Sequence, residues 1–419
     1  MDPSRALALV PWLTRIIRAQ AFWWSVAALN ALGAVAVCSL LMDTGSALHD
    51  TTTVGGYLWL LIALYAAVFV HEMSHAATLV AFGGVSRRVG FMLFYLMPAF
   101  FCDVSDAWRL KPAERVKVAL AGIAAQGVLG AIAGMLAFIL PRDLATLAAV
   151  FSLLCFIYGL LNLIPFVKLD GYIALIGYLD KPNLRARCMQ EFKDWTAHVF
   201  MRPTRRPARK SSPYRLIFGL LCIAFPLMIL TGAVTAAGSY LAPLGRTATL
   251  VQLVLAGSLV AWLAMRGIGH WVALRKSGTT KAAVAAYSFV SCVVAAVVLF
   301  VVPFPNTIRG GLYTDNEGPK FVVLGGASGS TAGTVDLYTA GLAPGKKVGV
   351  ATTSGPQEPC VVPLAATVAV KETELTLDAQ CIPLGFDGAA PRLGTAAWTG
   401  QSQTIFTWFE TSAQNLLAP

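Results

Sequence analysis

The chain has 419 residues, 57% of them hydrophobic and 13% charged, with a mean hydropathy of +0.67 and a formal net charge of +11. Soluble domains carry about 25% charged residues, so the deficit excludes an ordinary soluble globular protein and places the chain in the membrane class. The basic residues lie mostly between apolar segments, which favours a topology signal over nucleic-acid binding.

A spanning helix needs about 20 apolar residues. Seven stretches qualify: 21–42, 57–82, 118–140, 144–164, 214–236, 249–265 and 282–302. The first is too long for a cleavable signal core and lacks a small-residue cleavage site after it. Trp23 and Trp24 at its start read as an interfacial aromatic anchor. Lys and Arg number three before the first span, six after the second, eleven after the fourth and four after the sixth. The intervening short loops hold only Arg142 and Arg246. The positive-inside rule then predicts an N-terminus in the cytoplasm, and seven spans put the C-terminal tail outside.

Between the second and third spans, RRVGFMLFYLMPAFFCDVSD (87–106) has an apolar core too short to cross and split by Pro98. Its aromatic and β-forming residues predict a re-entrant β-hairpin or loop, covered by protein or a water-filled cavity. The stretch after the fourth span, with RPTRRPARKSSP, reads as a basic linker attracted to anionic lipid. Residues 304–419 change character. KFVVLGG, TVDLYTA, KKVGVATT and CVVPLAATVAV alternate with the turn signals APGK, SGPQ and FDG, as in a small β domain. Cys360 and Cys381 lie there, on the oxidising side, and are expected to form a disulfide. The other six cysteines show no CxxC spacing and read as small buried hydrophobes. No repeat of fixed period is present.

The expected fold class is therefore a mostly α membrane protein. It has about seven transmembrane helices, a re-entrant β-hairpin or loop, and a small C-terminal β-rich extracytoplasmic domain. The expected divisions are 1–180 (catalytic transmembrane core), 181–213 (basic cytoplasmic linker), 214–303 (three further spans) and 304–419 (β-rich domain).

The second span ends in AVFVHEMSHAATLVAFGG. His71 and His75, four residues apart, project from one helical face, where two imidazoles can take adjacent corners of a zinc tetrahedron. Glu72 lies about 100° round the helix and can act on water as general base, the logic of HExxH hydrolases. Three ionisable residues within five, about 21 Å below Tyr57, are costly inside an apolar helix and mark a functional site. A zinc hydrolase needs a third protein ligand and an open position. Asp170 in NLIPFVKLDGY is the best candidate, since Pro165 ends the fourth span and delivers it to the depth of the histidines. Gly171 is read as freeing the backbone just after it. Asp103 and Asp106 are rivals, read as shaping the site or capping a turn. His198 and His270, in or beside basic loops, read as solvated or interfacial.

HEMSH, followed some ninety residues on by NLIPFVKLDG, resembles the site-2 protease family of intramembrane metalloproteases, and within it the bacterial peptide zinc metalloprotease type. FMLFYLMPAFFCDVSDAWRL adds to the resemblance, which covers roughly residues 69–178. It implies one zinc ion on His71, His75 and Asp170, Glu72 as base, and Asn162 holding the substrate strand or orienting the site. It also implies peptide maturation or self-protection. Two features depart from the pattern. Ala121, Gly122 and Ile123 stand where the family often has a Gly-Pro pair. The tail is β-rich and placed like the lipoyl-like extracytoplasmic segment of relatives, but no motif in it identifies it as one.

The expected activity is intramembrane hydrolysis of a peptide bond, as leader removal or maturation of a ribosomally made peptide. Two alternatives stand beside it: regulated intramembrane proteolysis of a single-span protein such as an anti-sigma factor, and a non-catalytic peptide-binding or export subunit. Expected partners are a peptide or single-span substrate and the lipid bilayer, with no nucleic acid.

Overall fold

A computed structural model describes residues 11–43, 47–94, 97–201, 212–241, 246–276, 303–304, 307–324, 333–340, 345–368, 370–371, 374–399, 403–404 and 406–407, with a few single positions besides. The chain forms two compact units, one to Arg185 and one from Ala186 onward.

The first unit is helical. A short helix α1 (Pro11–Arg18) precedes α2 (Gln20–Met42), α3 (Val54–Ala81), α4 (Pro112–Leu136), α5 (Arg142–Leu163) and α6 (Asp170–Leu179). Each boundary has a local cause. The Thr53 hydroxyl accepts the Gly56 N–H at 3.0 Å and opens α3. Pro112 occupies the first turn of α4, and the Lys111 N–H donates to Glu114 at 3.0 Å. Ile164 is extended, as a residue before proline must be, so α5 stops there. The Arg18 guanidinium donates to the Ala81 carbonyl, satisfying an acceptor at the C-terminus of α3. Arg115 on α4 pairs with Asp180, just past the end of α6, and lies over the Trp108 ring.

Strands β1 (Val89–Phe94) and β2 (Met97–Cys102) form an antiparallel hairpin between α3 and α4. The Asp103 N–H donates to the Arg88 carbonyl at 2.8 Å. That bond sets the parity of the ladder, so the backbone groups of Phe100 and Cys102 point away from β1. Pro98 falls on the same outward parity, where its missing N–H costs no ladder bond. The Phe100 ring meets Phe69 of α3 and Phe91 of β1 edge-on.

In the second unit, α7 (Leu184–Met201) occupies half of the stretch read from sequence as a linker. Two long helices follow, α8 (Pro213–Leu241) and α9 (Arg246–Lys276). Among the described residues, five helices are long and apolar enough to cross a membrane, against seven expected in the whole chain: α2 to α5 and the Pro213–Leu230 part of α8. The sixth expected span lies in α9, whose apolar run is the shorter Leu253–Gly269. The seventh, 282–302, falls almost wholly outside the described residues.

Seven strands then build an antiparallel β structure: β3 (Thr307–Asp315), β4 (Gly318–Val323), β5 (Thr334–Thr339), β6 (Lys347–Thr353), β7 (Glu358–Pro363), β8 (Thr376–Gly385) and β9 (Leu393–Thr399). Their order is β4-β3-β9-β5-β6-β8-β7, and β4 also pairs with β8. Six strands thus close into a barrel, with β7 flanking β8. Inside lie Leu312, Phe321, Val335, Leu337, Ile382 and Leu384. A smaller cluster under β7 packs Val322, Val362 and Ala379 beside Cys381. Closure removes most open edges. Cys360 on β7 and Cys381 on β8 form a disulfide across the flank, 21 residues apart. Peptide mapping without reductant should recover this linked pair. Reduction should lower the stability of the β unit by about 3 kcal/mol, as for a closed loop of this order. Two free thiols would contradict the pairing.

Candidate metal centre

His71 and His75 face inward from α3, at 3% and 6% exposure. Asp170 opens α6, where the helix dipole favours a carboxylate. Its Oδ2 lies 2.9 Å from His71 Nε2 and 3.5 Å from His75 Nε2. The three candidate ligand atoms all fall within 4.8 Å of one another. Zinc takes nitrogen and oxygen ligands at about 2.0–2.2 Å in a tetrahedron, which spaces ligand atoms by about 3.3–3.5 Å. The two measured separations bracket that spacing.

Hydrogen bonding decides what the imidazoles present. His75 Nδ1 lies 2.7 Å from the Val118 carbonyl, which can only accept. His71 Nδ1 lies 3.1 Å from Gln126 Oε1, also an acceptor. Both Nδ1 atoms therefore carry protons. In neutral rings, both Nε2 lone pairs then point at the Asp170 carboxylate. Facing lone pairs repel, and a shared cation removes the conflict. The donor set, two imidazoles and one carboxylate with their outer nitrogens held, is a fitting zinc site.

Two glycines create the space. A Cβ on Gly122 of α4 would stand 2.5 Å from both Nε2 atoms. A Cβ on Gly171 would stand 2.0 Å from the Leu163 carbonyl at the end of α5. Close approach, with no left-handed backbone, is thus the need at Gly171, and it folds Asp170 back toward the histidines.

The remaining expected residues fall around this centre. Glu72 is half-buried beside the backbone N–H of Cys102, so the end of β2 meets the expected base. Asn162 Nδ2 donates to the Tyr158 carbonyl one turn back on α5, at 3.1 Å. The Tyr158 ring in turn stands edge-on to His71. Asp103 and Asp106 do not join the ligand group. Asp103 accepts the Ser105 N–H at 3.1 Å, and the Ser105 hydroxyl and N–H hold its carboxyl below the ordinary value. Asp106 accepts the Val85 N–H at 2.9 Å and tethers the segment after α3. Both serve as turn and loop ties.

Sequence reasoning missed Gln126 and the Val118 carbonyl, and it noted Gly122 only as a departure from the Gly-Pro pair, not as the space for the imidazoles. The three sit four residues apart on one face of α4, and that spacing is the signal that finds them.

Among curated proteins, the chain is similar to the Putative peptide zinc metalloprotease protein YydH of Bacillus subtilis (strain 168), at 31% identity over 129 residues. The match covers 30% of this chain and 50% of that relative, so the chain spans half the length of the curated protein it matches. No family model and no solved structure matches the chain.

Gly122→Ala should cost the protein its bound metal, because the added methyl would occupy the space between the two imidazoles. Metal analysis of the purified variant should fall from about one ion per chain to below about a tenth, the expectation for losing two ligands of a three-ligand site.

Proposed function

We propose that this chain is a zinc metalloprotease of the site-2 type, cutting a peptide bond of a membrane-associated peptide. One observation carries the reading: two Nε2 lone pairs, each fixed by an acceptor at Nδ1, converge on one Asp170 oxygen. The similarity to a protein named as a peptide zinc metalloprotease supports it. So do the apolar helices α3, α4 and α5, which carry residues of the site and are long enough to cross a membrane. The substrate class we favour is a ribosomally made peptide undergoing leader removal or maturation.

His71, His75 and Asp170 would hold the ion. Zinc, when bound, supplies Lewis-acid chemistry, acidifying water and polarising a scissile carbonyl. Glu72 accepts a proton from the attacking water and delivers it to the leaving amine. Asp170, oriented by Gly171 and the start of α6, keeps its charge toward the histidines. A substrate helix must unwind before its carbonyls can react, since they are bonded internally. The outward backbone groups of Phe100 on β2, two residues before the Cys102 N–H that Glu72 accepts, offer an edge for the extended peptide. In this reading the hairpin dips into the bilayer from the cytoplasmic side, and the β barrel lies outside the cell.

Glu72→Gln should keep the metal and lower turnover by about 10²–10⁴-fold, the range for removing a general base. Peptide profiles of cells carrying the wild type and this variant give the test. If every peptide is processed alike in both, the protease assignment is wrong. Chelation should abolish activity, and stoichiometric zinc should restore it. A photocrosslinker at Phe100 should trap substrate on the Glu72→Gln background, whereas crosslinks only to distant residues would remove the edge-strand step.

A further inference from the structure

We infer that Gln126 is a positioning residue of the metal centre, holding His71 in the tautomer and orientation that ligation requires. The inference rests on the metal-binding reading and adds to it a residue outside the ligand set.

The argument starts from the two helices. α3 and α4 run antiparallel, so His71 lies level with Gln126 and His75 with Val118. The three α4 positions act in sequence. Gly122 lies one turn after Val118, and a helical side chain covers the turn N-terminal to it. With no side chain at Gly122, the Val118 carbonyl stays open to His75. The same gap accommodates both Nε2 atoms. One turn further on, Gln126 reaches His71 Nδ1.

The two histidines are therefore held differently. His75 is fixed by a backbone carbonyl, which no substitution removes and which can only accept. His71 is fixed by an amide, which can present either an acceptor or a donor. With Oε1 toward Nδ1, the ring keeps its proton there and leaves Nε2 for the metal. With the amide nitrogen toward Nδ1, the proton would move to Nε2 and block ligation. The structure has Oε1 at 3.1 Å. Gln126 is 1% exposed, and its amide also meets the buried Cys155 thiol on α5. A glutamine this deep in an apolar helix pair is costly unless its polar atoms are engaged. His71 engages the oxygen.

A packing role and a positioning role predict opposite orders for two variants. Gln126→Leu keeps the bulk and removes the acceptor. Gln126→Glu keeps the acceptor and strengthens it, as in carboxylate–histidine–zinc arrangements. Full-length protein in detergent would be titrated with zinc against a chelator of known affinity. Cobalt-substituted samples would be followed through their visible bands. Positioning predicts that Gln126→Leu binds zinc about 10–100-fold more weakly, with altered cobalt bands. Gln126→Glu should match or exceed the wild type. If Gln126→Leu yields no folded protein, Gln126→Met takes its place. Wild-type protein that binds no zinc overturns the metal reading and this inference with it. Wild-type protein that binds zinc, with Gln126→Leu binding equally well or Gln126→Glu weakened as much as Leu, overturns this inference alone.

Discussion

Two imidazole nitrogens and one carboxylate oxygen, packed together inside an apolar helix cluster, set the terms for everything around them. Burying such groups is expensive unless they are paired or coordinate a metal. The pairing cannot come from the imidazoles' own protons in the neutral state, because those protons are committed at Nδ1 to Val118 and Gln126. The neighbouring features serve that convergence. Pro165 ends α5, Gly171 lets α6 start against the Leu163 carbonyl, and Gly122 clears the space into which both rings point. Removing any one would leave the ligand types intact and their geometry lost.

The three candidate ligands that the fold brings together were legible in the chain. Four-residue spacing on an apolar helix implies one face, and carboxylates are so scarce among the apolar segments that Asp170 had few competitors. Their support was not legible for a physical reason. Gly122 and Gln126 lie on a different helix, in a run rich in alanine and glycine that reads as ordinary membrane-helix packing. Only the antiparallel pairing of α3 with α4 gives them meaning. Gly171 was noticed for the wrong reason: its need is close approach, not backbone freedom.

The fold was readable to a similar depth. The hairpin at 89–102 follows from an aromatic, β-forming run too short to cross a membrane, and β4, β5, β6 and β7 overlap the β-rich runs. Strands β3 and β9 were obscured by Gly310, Gly311 and Gly394, which lower strand propensity but sit in paired positions. Barrel closure depends on β4 pairing with β8, about 60 residues away in sequence, and local patterns carry no record of a pairing that distant. Helix α7 was hidden because its charges were read as composition. Within LRARCMQEFKDWTAHVFM, the buried Cys188 and half-buried Phe192 are four apart, a helical repeat.

Two of the open strand edges among the described residues are built differently. On β7, the Leu364 N–H donates to the Leu375 carbonyl, so Pro359, Val361 and Pro363 present their backbones outward. Two of those three lack an N–H, leaving Val361 as the sole donor of that edge. Proline at such positions is a means of refusing strand addition. On β2, only Pro98 lacks an N–H at the outward positions; Cys102 donates its own to Glu72, and Phe100 keeps one directed outward. One edge is thus blocked by composition, and the other stays capable of pairing next to the residue proposed to move the proton. A chain that handles a peptide at the metal centre without adding it to the barrel flank would require that asymmetry.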